Sequence, residues 1–157
     1  MSTKRIETVF MGKPVTSPCL IPVLHCSTPN CVAEPFMVGA TPYRVTALSF
    51  GTPHGAVVVD DADQVDVPSL GAALGTHALF PEGASIVFVQ FLGGGRVKAR
   101  LWQRGEGASG FSREAACVAG TAAMILQEAM KNEVDVFMNG RSARVEWDRE
   151  TGVSISC

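Results

Sequence analysis

The residue best suited to chemistry is Cys117, a lone thiol among small residues in a run that predicts an apolar helix. Residues 103–110, a glycine-spaced loop with charged side chains, lie just upstream. The start of a helix exposes unpaired backbone N–H groups with partial positive charge, which favours anions and thiolates. A cysteine there can have a lowered pKa and act as a base or a nucleophile. The alternative is a small buried hydrophobe in an alanine-rich core helix.

Two other polar side chains lie where they could complete such a site. His54 follows Gly51-Thr52-Pro53 at the end of a predicted strand, where turn residues often reach a cleft. Arg104 lies between a predicted strand and the glycine-spaced loop, and a guanidinium can hold an anionic group through two parallel hydrogen bonds. A hydrogen-bonded structural histidine and a solvated arginine are the alternatives for these two residues.

The composition is that of a globular protein and excludes several functional classes. With 157 residues, 46% hydrophobic and 18% charged, the chain can bury a core, and we expect one domain over residues 1–157. The net charge is −2 and the basic residues form no stripe, which argues against a nucleic-acid partner. Because no apolar run reaches the roughly 18 residues that span a bilayer, no membrane segment is predicted.

The five cysteines indicate the compartment better than they indicate a metal. The sequence begins without a signal-peptide hydrophobic region, so we expect a cytoplasmic protein with reduced thiols. The cysteines form no C-x-x-C pair, and Cys26 and Cys31, with His25 alongside, lack a second pair of ligands. The sequence therefore predicts no metal site.

Hydrophobic periodicity predicts many strands around one helix. A short helix is expected from Pro68 to about His77, and a second, capped by Ser112, is apolar on every side from Ala115 to Leu126. A helix that is apolar all round must be enclosed by other elements. We therefore expect an α+β fold with a mixed or antiparallel sheet wrapped around a central buried helix. The predicted strands are Ile6–Met11, Cys19–Leu24, Ala33–Val38, Tyr43–Phe50, Ala56–Asp60, Ser85–Leu92, Arg96–Gln103, Val134–Met138, Ala143–Trp147 and Val153–Ser156.

Five short signatures occur in order along almost the whole chain. They are M-G-K-P at 11–14, G-T-P-H at 51–54, H-A-L-F-P-E-G at 77–83, Q-R-G-E-G at 103–107, and Ala116-Cys117 with the small residues that follow. Together they resemble the C-terminal half of the diaminopimelate epimerase family, as a half-length and divergent member. The resemblance implies a fold in which two homologous domains face each other across the active site. Each domain lends one cysteine, and the two thiols exchange an α-proton without pyridoxal phosphate or metal.

The resemblance assigns a role to each candidate site residue. Cys117 would be the catalytic thiol of this domain, and His54 would be its polar neighbour. The backbone N–H groups from Val118 to Thr121 would cradle a substrate carboxylate at the helix start. The remaining candidate substrate-binding residues are Thr52, Ser85, Gln103, Arg104 and, within the cradle, Gly120.

The departures from the family pattern fall on the ligands of an amino acid. Thr52 replaces the asparagine of G-N-P-H, Gln103 the glutamate of E-R-G, and Val118 the glycine after the cysteine. Residues 110–114 are an insertion before the thiol, and Glu106 is the one carboxylate of the loop that could stand in for the lost glutamate. The domain that carries the partner cysteine does not occur in this sequence.

Two functional hypotheses follow. The first is a cofactor-independent isomerase that abstracts a proton next to a carbonyl of a small molecule and then reprotonates it or closes a ring. Gln103 and Val118 fit a one-base isomerase or a cyclase of a specialised biosynthetic pathway better than a racemase. A homodimer or a second epimerase-like chain would rebuild the cleft. The second hypothesis is a non-catalytic descendant that binds a small molecule or a partner.

Overall fold

A computed structural model describes residues 6–26, 29–127 and 131–157. Within these ranges ten strands form one sheet around a central helix. The strands are β1 (Thr8–Gly12), β2 (Glu34–Val38), β3 (Thr41–Ser49), β4 (Pro53–Val58), β5 (Ser85–Gly93), β6 (Arg96–Gln103), β7 (Gly107–Ser109), β8 (Glu133–Met138), β9 (Arg141–Asp148) and β10 (Gly152–Ser156). The helices are α1 (Val67–Gly75) and α2 (Arg113–Leu126), with a 3-10 turn at Ala62–Gln64.

The sheet is mixed, and the segment after its edge strand β1 pairs with β3 near the opposite edge. Its order is β1-β10-β9-β8-β6-β5-β4-β3-β2, and β7 pairs with the last residues of β6. The pairs β4–β5 and β6–β8 are parallel and the other pairs are antiparallel. Val15, just after β1, exchanges two backbone hydrogen bonds of 2.8 and 3.0 Å with Ser49 at the end of β3. This seam closes the sheet around α2 and confirms the predicted α+β architecture.

Helix α2 is enclosed because its residues are small and apolar. Ser112 caps it by accepting a hydrogen bond from the Ala115 N–H, and all ten residues from 115 to 124 are buried. A Cβ added to Gly120 would lie 2.8 Å from Cβ of Val145 on β9, so the helix backbone lies close against the sheet. None of the described helices is long and apolar enough to span a membrane.

A second core lies on the other face of β5. Along this strand Val87 and Val89 point to α2, while Ile86 and Phe88 pack in a separate cluster with Leu74 of α1. A strand that is buried on both faces explains why the sequence shows a continuous apolar run there and no alternation.

Two local predictions differ from the structure. Cys19–Leu24 is not a strand, because the N–H groups of Ile21 and Val23 bond to the carbonyl oxygens of Ser17 and Pro18 and form turns, so a local partner replaces a neighbouring strand. The glycine-spaced loop is not wholly a loop either. Its residues Gly107–Ser109 form β7 against β6.

Candidate functional site

Five residues from separate elements form a polar cluster beside the start of α2. His54 of β4 and Ser85 of β5 are paired residues of a parallel ladder. The Ser85 hydroxyl accepts a 3.0 Å hydrogen bond from the Arg104 backbone N–H, and the cluster is completed by Thr52 and Glu114. Four of its members were candidates from the sequence, and strand pairing brings them together. Glu114 was not a candidate.

His54 is the buried centre of this cluster. Its side chain is 4% exposed and Nδ1 lies 2.8 Å from the Thr52 carbonyl oxygen. Because a carbonyl oxygen only accepts, Nδ1 carries the proton and Nε2 keeps its lone pair. Within the described ranges Nε2 makes no hydrogen bond.

The surroundings of His54 keep its ring neutral. Burial lowers the pKa of His54 from its ordinary value of 6.5 because it disfavours the charged ring. The Thr52 carbonyl and the Glu114 carboxylate act in the opposite direction, and the positive charge of Arg104 adds to the lowering. A neutral imidazole at neutral pH can accept a proton at Nε2.

Glu114 joins the first turn of α2 to the turn that carries His54. Its Oε1 atom accepts a 2.9 Å hydrogen bond from the Thr52 N–H and lies 3.6 Å from His54 Nδ1. The sequence analysis assigns no role to Glu114, and Glu106, the candidate replacement for the lost glutamate, is exposed on its loop. The available signal is the place of Glu114 in the first turn of the helix that Ser112 caps.

Arg104 is the cation of the cluster. Its Nη1 group donates a 3.0 Å hydrogen bond to the Glu82 carbonyl oxygen, and the residue is exposed. The other guanidinium N–H groups make no hydrogen bond to the described part of the chain and can hold an anion. Gln103 is half-buried, and its backbone pairs with Gly107. The hydrogen bonds found among the described residues do not connect the Gln103 side chain to the polar cluster.

Cys117 does not have the environment of an activated thiol. The residue is 0% exposed, and burial raises its pKa to about 12, with further raising effects from Cys157 and Glu114. The expected lowering of the Cys117 pKa is therefore wrong. The reason is that α2 begins at Arg113, so the thiol lies in the second turn of the helix and not at its exposed start.

The carboxylate cradle expected at residues 118–121 stays a prediction. Val118, Gly120 and Thr121 are each inside α2 and buried, so their N–H groups point along the helix to carbonyls of the preceding turn. Among the described residues, the hydroxyl of Thr121 is the one buried side-chain group without a hydrogen-bond partner. Helix α2 starts at Arg113, four residues before the thiol, so its open N–H groups lie ahead of this stretch.

Two cavities of about 330 Å³ each lie elsewhere in the described part of the chain, and residues of the cluster line neither of them. Among the residues that the structure describes, no three His, Cys, Asp or Glu side chains are grouped so that they could hold a metal ion. Within the cluster Arg104 is exposed and Thr52 and Glu114 are partly exposed, whereas His54 and Ser85 are buried.

Sequence comparison decides the family. Residues 46–156 match the diaminopimelate epimerase family model. The chain belongs to this family. Diaminopimelate epimerases of Bacillus cereus and a Geobacillus species are 33% and 32% identical to it over 150 residues each. The matches cover 94% and 95% of this chain but 52% and 53% of the relatives, so the chain spans about half their length.

Solved structures agree on the fold. A Bacillus anthracis phenazine biosynthesis protein of the PhzF family aligns with a TM-score of 0.51 and 16% identity over 73% of this chain and 45% of its own. A hydroxyproline epimerase from Agrobacterium vitis aligns with a TM-score of 0.52 and 11% identity over 80% of this chain and 45% of its own. The curated relatives are epimerases, which are isomerases, and their family places this chain on an isomerase-type fold.

Proposed function

We propose that this chain provides the acid–base groups of a cofactor-independent isomerase, in which His54 and not Cys117 exchanges a proton with a small substrate. The observation that carries the proposal is the state of His54. Its Nδ1–H is held by the Thr52 carbonyl at 2.8 Å and its Nε2 has no hydrogen bond among the described residues. A ring fixed at one nitrogen and free at the other is the arrangement that general acid–base catalysis requires.

The substrate class follows from the charge of the cluster. The exposed guanidinium of Arg104 suits a carboxylate, and the pKa of His54 is lowered so that the base is neutral before the reaction. A proton next to the carbonyl of such a substrate passes to Nε2, and the substrate becomes an enolate-like anion. Return of the proton gives epimerisation or isomerisation, and attack of the anion within the molecule gives a ring. The relatives act on diaminopimelate, which makes this amino acid the first substrate to test.

The raised pKa and the burial of Cys117 disfavour the alternative in which its thiol is the catalytic base. The pKa of Cys117 is raised to about 12, so a thiolate at pH 7 would be about 10⁵-fold less abundant than the thiol. The thiol is also fully buried, and a substrate could reach it only if the start of α2 unwound.

Proton exchange in D₂O tests the proposal directly. The chain is incubated with diaminopimelate stereoisomers, D- and L-amino acids and simple 2-hydroxy and 2-keto carboxylates, and ¹H NMR follows loss of the proton next to the carbonyl. We expect His54→Gln to lower the exchange rate on the order of 10²-fold or more. Cys117→Ala, the matched control at the predicted thiol, should retain the rate within a few-fold.

Loss of proton exchange in Cys117→Ala, with exchange retained in His54→Gln, would assign the reaction to the thiol. Alkylation supplies an independent check, because iodoacetamide should modify exposed Cys19 before buried Cys117. Faster modification of Cys117 near neutral pH would contradict the proposal.

We also propose that the polar cluster is covered by a second copy of this chain or by a second epimerase-like chain. Arg104 is exposed, Thr52 and Glu114 are partly exposed, and the chain spans about half the length of its relatives. Sedimentation velocity with the wild-type chain and with Thr52→Arg, which adds bulk beside the cluster, measures this. Concentration-dependent dimers that the substitution weakens are expected for a homodimer. A wild-type chain that is monomeric at all concentrations requires a different partner chain.

A binding role without catalysis is the second candidate. It is favoured by the complete burial of Cys117, the thiol that the family pattern would use for catalysis. No exchange with any compound of the panel, in the chain alone and with its partner, together with measurable binding of one of them, would establish this role.

A further inference from the structure

The contacts of Glu114 go beyond those of a helix-capping residue. We infer that Glu114 is a positioning residue that fixes the turn before β4, holds the His54 ring in one orientation and tautomer, and stabilises the ring when Nε2 takes up a proton. Only the catalytic consequence of this inference rests on the proposed function. The arrangement itself is a property of the folded chain.

The first part of the argument is geometric. One carboxylate oxygen of Glu114 accepts the Thr52 N–H at 2.9 Å, and the Thr52 carbonyl accepts the His54 Nδ1–H at 2.8 Å. Both backbone groups of Thr52 are therefore bonded: its N–H group to Glu114 at the start of α2, and its carbonyl oxygen to the imidazole of His54. Pro53, the first residue of β4, has no N–H group, so the bond to Glu114 engages the one backbone N–H of the Thr52–Pro53 segment.

The second part is electrostatic. The same Oε1 atom lies 3.6 Å from His54 Nδ1 and the side chain of Glu114 is only 26% exposed, so solvent screens the contact incompletely. The other charged group whose field reaches His54 is Arg104, which opposes protonation. The paired neighbours of His54 on the adjoining strands, Leu48 and Ser85, carry no charge. Glu114 is thus the anion that compensates the imidazolium formed when the substrate proton moves.

The third part concerns the place of Glu114 in the chain. It is the second residue of α2, just after the Ser112 cap and three residues before the buried Cys117. The start of α2 therefore brings a carboxylate to the turn that carries the histidine, while the thiol lies in the core. Glu106, on the other side of β7, is exposed and serves as a matched control.

Histidine ¹⁵N NMR over a pH titration tests the inference without any substrate. The full chain has three histidines, and His54→Gln assigns the resonances of His54. We expect the wild-type His54 to carry its neutral proton on Nδ1. His77 should show the opposite tautomer, because its Nε2 faces the Met37 carbonyl at 2.9 Å and its Nδ1 accepts from the Leu79 N–H at 3.1 Å.

Two substitutions separate the hydrogen bond from the charge. Glu114→Gln keeps an oxygen for the Thr52 N–H and removes the charge, so the titration midpoint of His54 should fall while the tautomer is retained. Glu114→Ala removes both, and we expect a mixture of His54 tautomers. Glu106→Gln should leave both signals as in the wild type. If Glu114→Ala unfolds, the result with Glu114→Gln decides alone.

An unchanged or raised His54 midpoint in Glu114→Gln, relative to Glu106→Gln, would overturn the inference. The outcome is separable from that of the proposed function. A lower midpoint together with proton exchange that His54→Gln does not affect would leave the positioning role intact and refute catalysis by His54. Where exchange is measured, Glu114→Gln should lower its maximal rate about tenfold with little change in KM, because the carboxylate acts on the ring and not on the substrate.

Discussion

The polar cluster and the buried stretch of α2, residues 115–124, differ sharply although they are adjacent in sequence. Glu114 keeps a quarter of its side chain exposed and contacts His54, whereas Cys117, three residues later, is completely buried. Both regions would belong to one site in the family pattern. What separates them is the place where the helix begins.

The comparison shows that a reactive residue is defined by its helix position as much as by its type. With Ser112 as its cap, α2 starts at Arg113, four residues before the thiol. The dipole and the open N–H groups then act near Glu114, and Cys117 becomes part of the core. Four experiments test this difference between the polar cluster and the buried stretch of α2, in order of decreasing effect.

A charge in the buried stretch should have the largest effect. Cys117→Asp places a carboxylate where the thiol is 0% exposed, which costs several kcal/mol unless the group is protonated. We expect the variant to be largely unfolded at 25 °C by circular dichroism. Glu114→Asp, the control in the polar cluster, should melt close to the wild type. A folded Cys117→Asp chain would show that the thiol site is open to solvent.

A methyl group added to the helix should cost less. In Gly120→Ala the new Cβ would lie 2.8 Å from Cβ of Val145, so we expect a loss of about 1–3 kcal/mol in urea unfolding. Gly110→Ala is the control, because its nearest neighbour, at 2.5 Å, is the amide nitrogen of exposed Asn139, which can move. Equal losses for the two variants would contradict the tight packing of α2 on β9.

Acid should destabilise the chain through His54. The pKa of this residue is lowered in the folded state relative to 6.5, so below pH 6.5 the unfolded chain binds a proton that the folded chain does not. The stabilisation is fully present above pH 6.5 and decreases as the pH falls towards the folded pKa, by at most about 1.4 kcal/mol per pH unit. Urea unfolding of the wild type and of His54→Gln between pH 5 and 8 measures this effect. The free energy of unfolding should fall more steeply with decreasing pH in the wild type than in His54→Gln.

The smallest effect is expected for the ion pair at the first residue of α2. Arg113 and Glu7 are 3.2 Å apart, but their side chains are 47% and 64% exposed. Solvent screens such a pair, and Arg113→Ala should change the free energy of unfolding by less than about 1 kcal/mol. A larger loss in thermal or urea unfolding would show that the helix start depends on this pair as well as on its Ser112 cap.

Much of the fold could be predicted from the sequence because local signals were sufficient. The β5–β6 hairpin is marked by Gly93-Gly94-Gly95, and the enclosure of α2 follows from its lack of a polar face. The segment Cys19–Leu24 differs from its prediction because its turns bury Ile21 and Val23 and expose Leu20 and Leu24, and composition does not distinguish such turns from a strand.

The site was predictable only in part. Thr52, His54, Ser85 and Arg104 lie at strand ends, which motifs locate well. The depth of Cys117 depends on where the helix starts, and the contact of Glu114 with His54 depends on a hydrogen bond between residues 62 positions apart, Thr52 and Glu114; a single sequence reveals neither. The extent of the domain over residues 1–157 stays a prediction.

The seam between Val15 and Ser49 has a consequence for the histidine. Ser49 also accepts a hydrogen bond from the Gly51 N–H through its hydroxyl at 3.0 Å, and Thr52 follows directly. The loop that presents the imidazole is therefore anchored by the opening segment of the chain, more than thirty residues away in sequence. Trimming or fusing that segment would therefore shift the His54 ring without altering any residue that hydrogen-bonds to it.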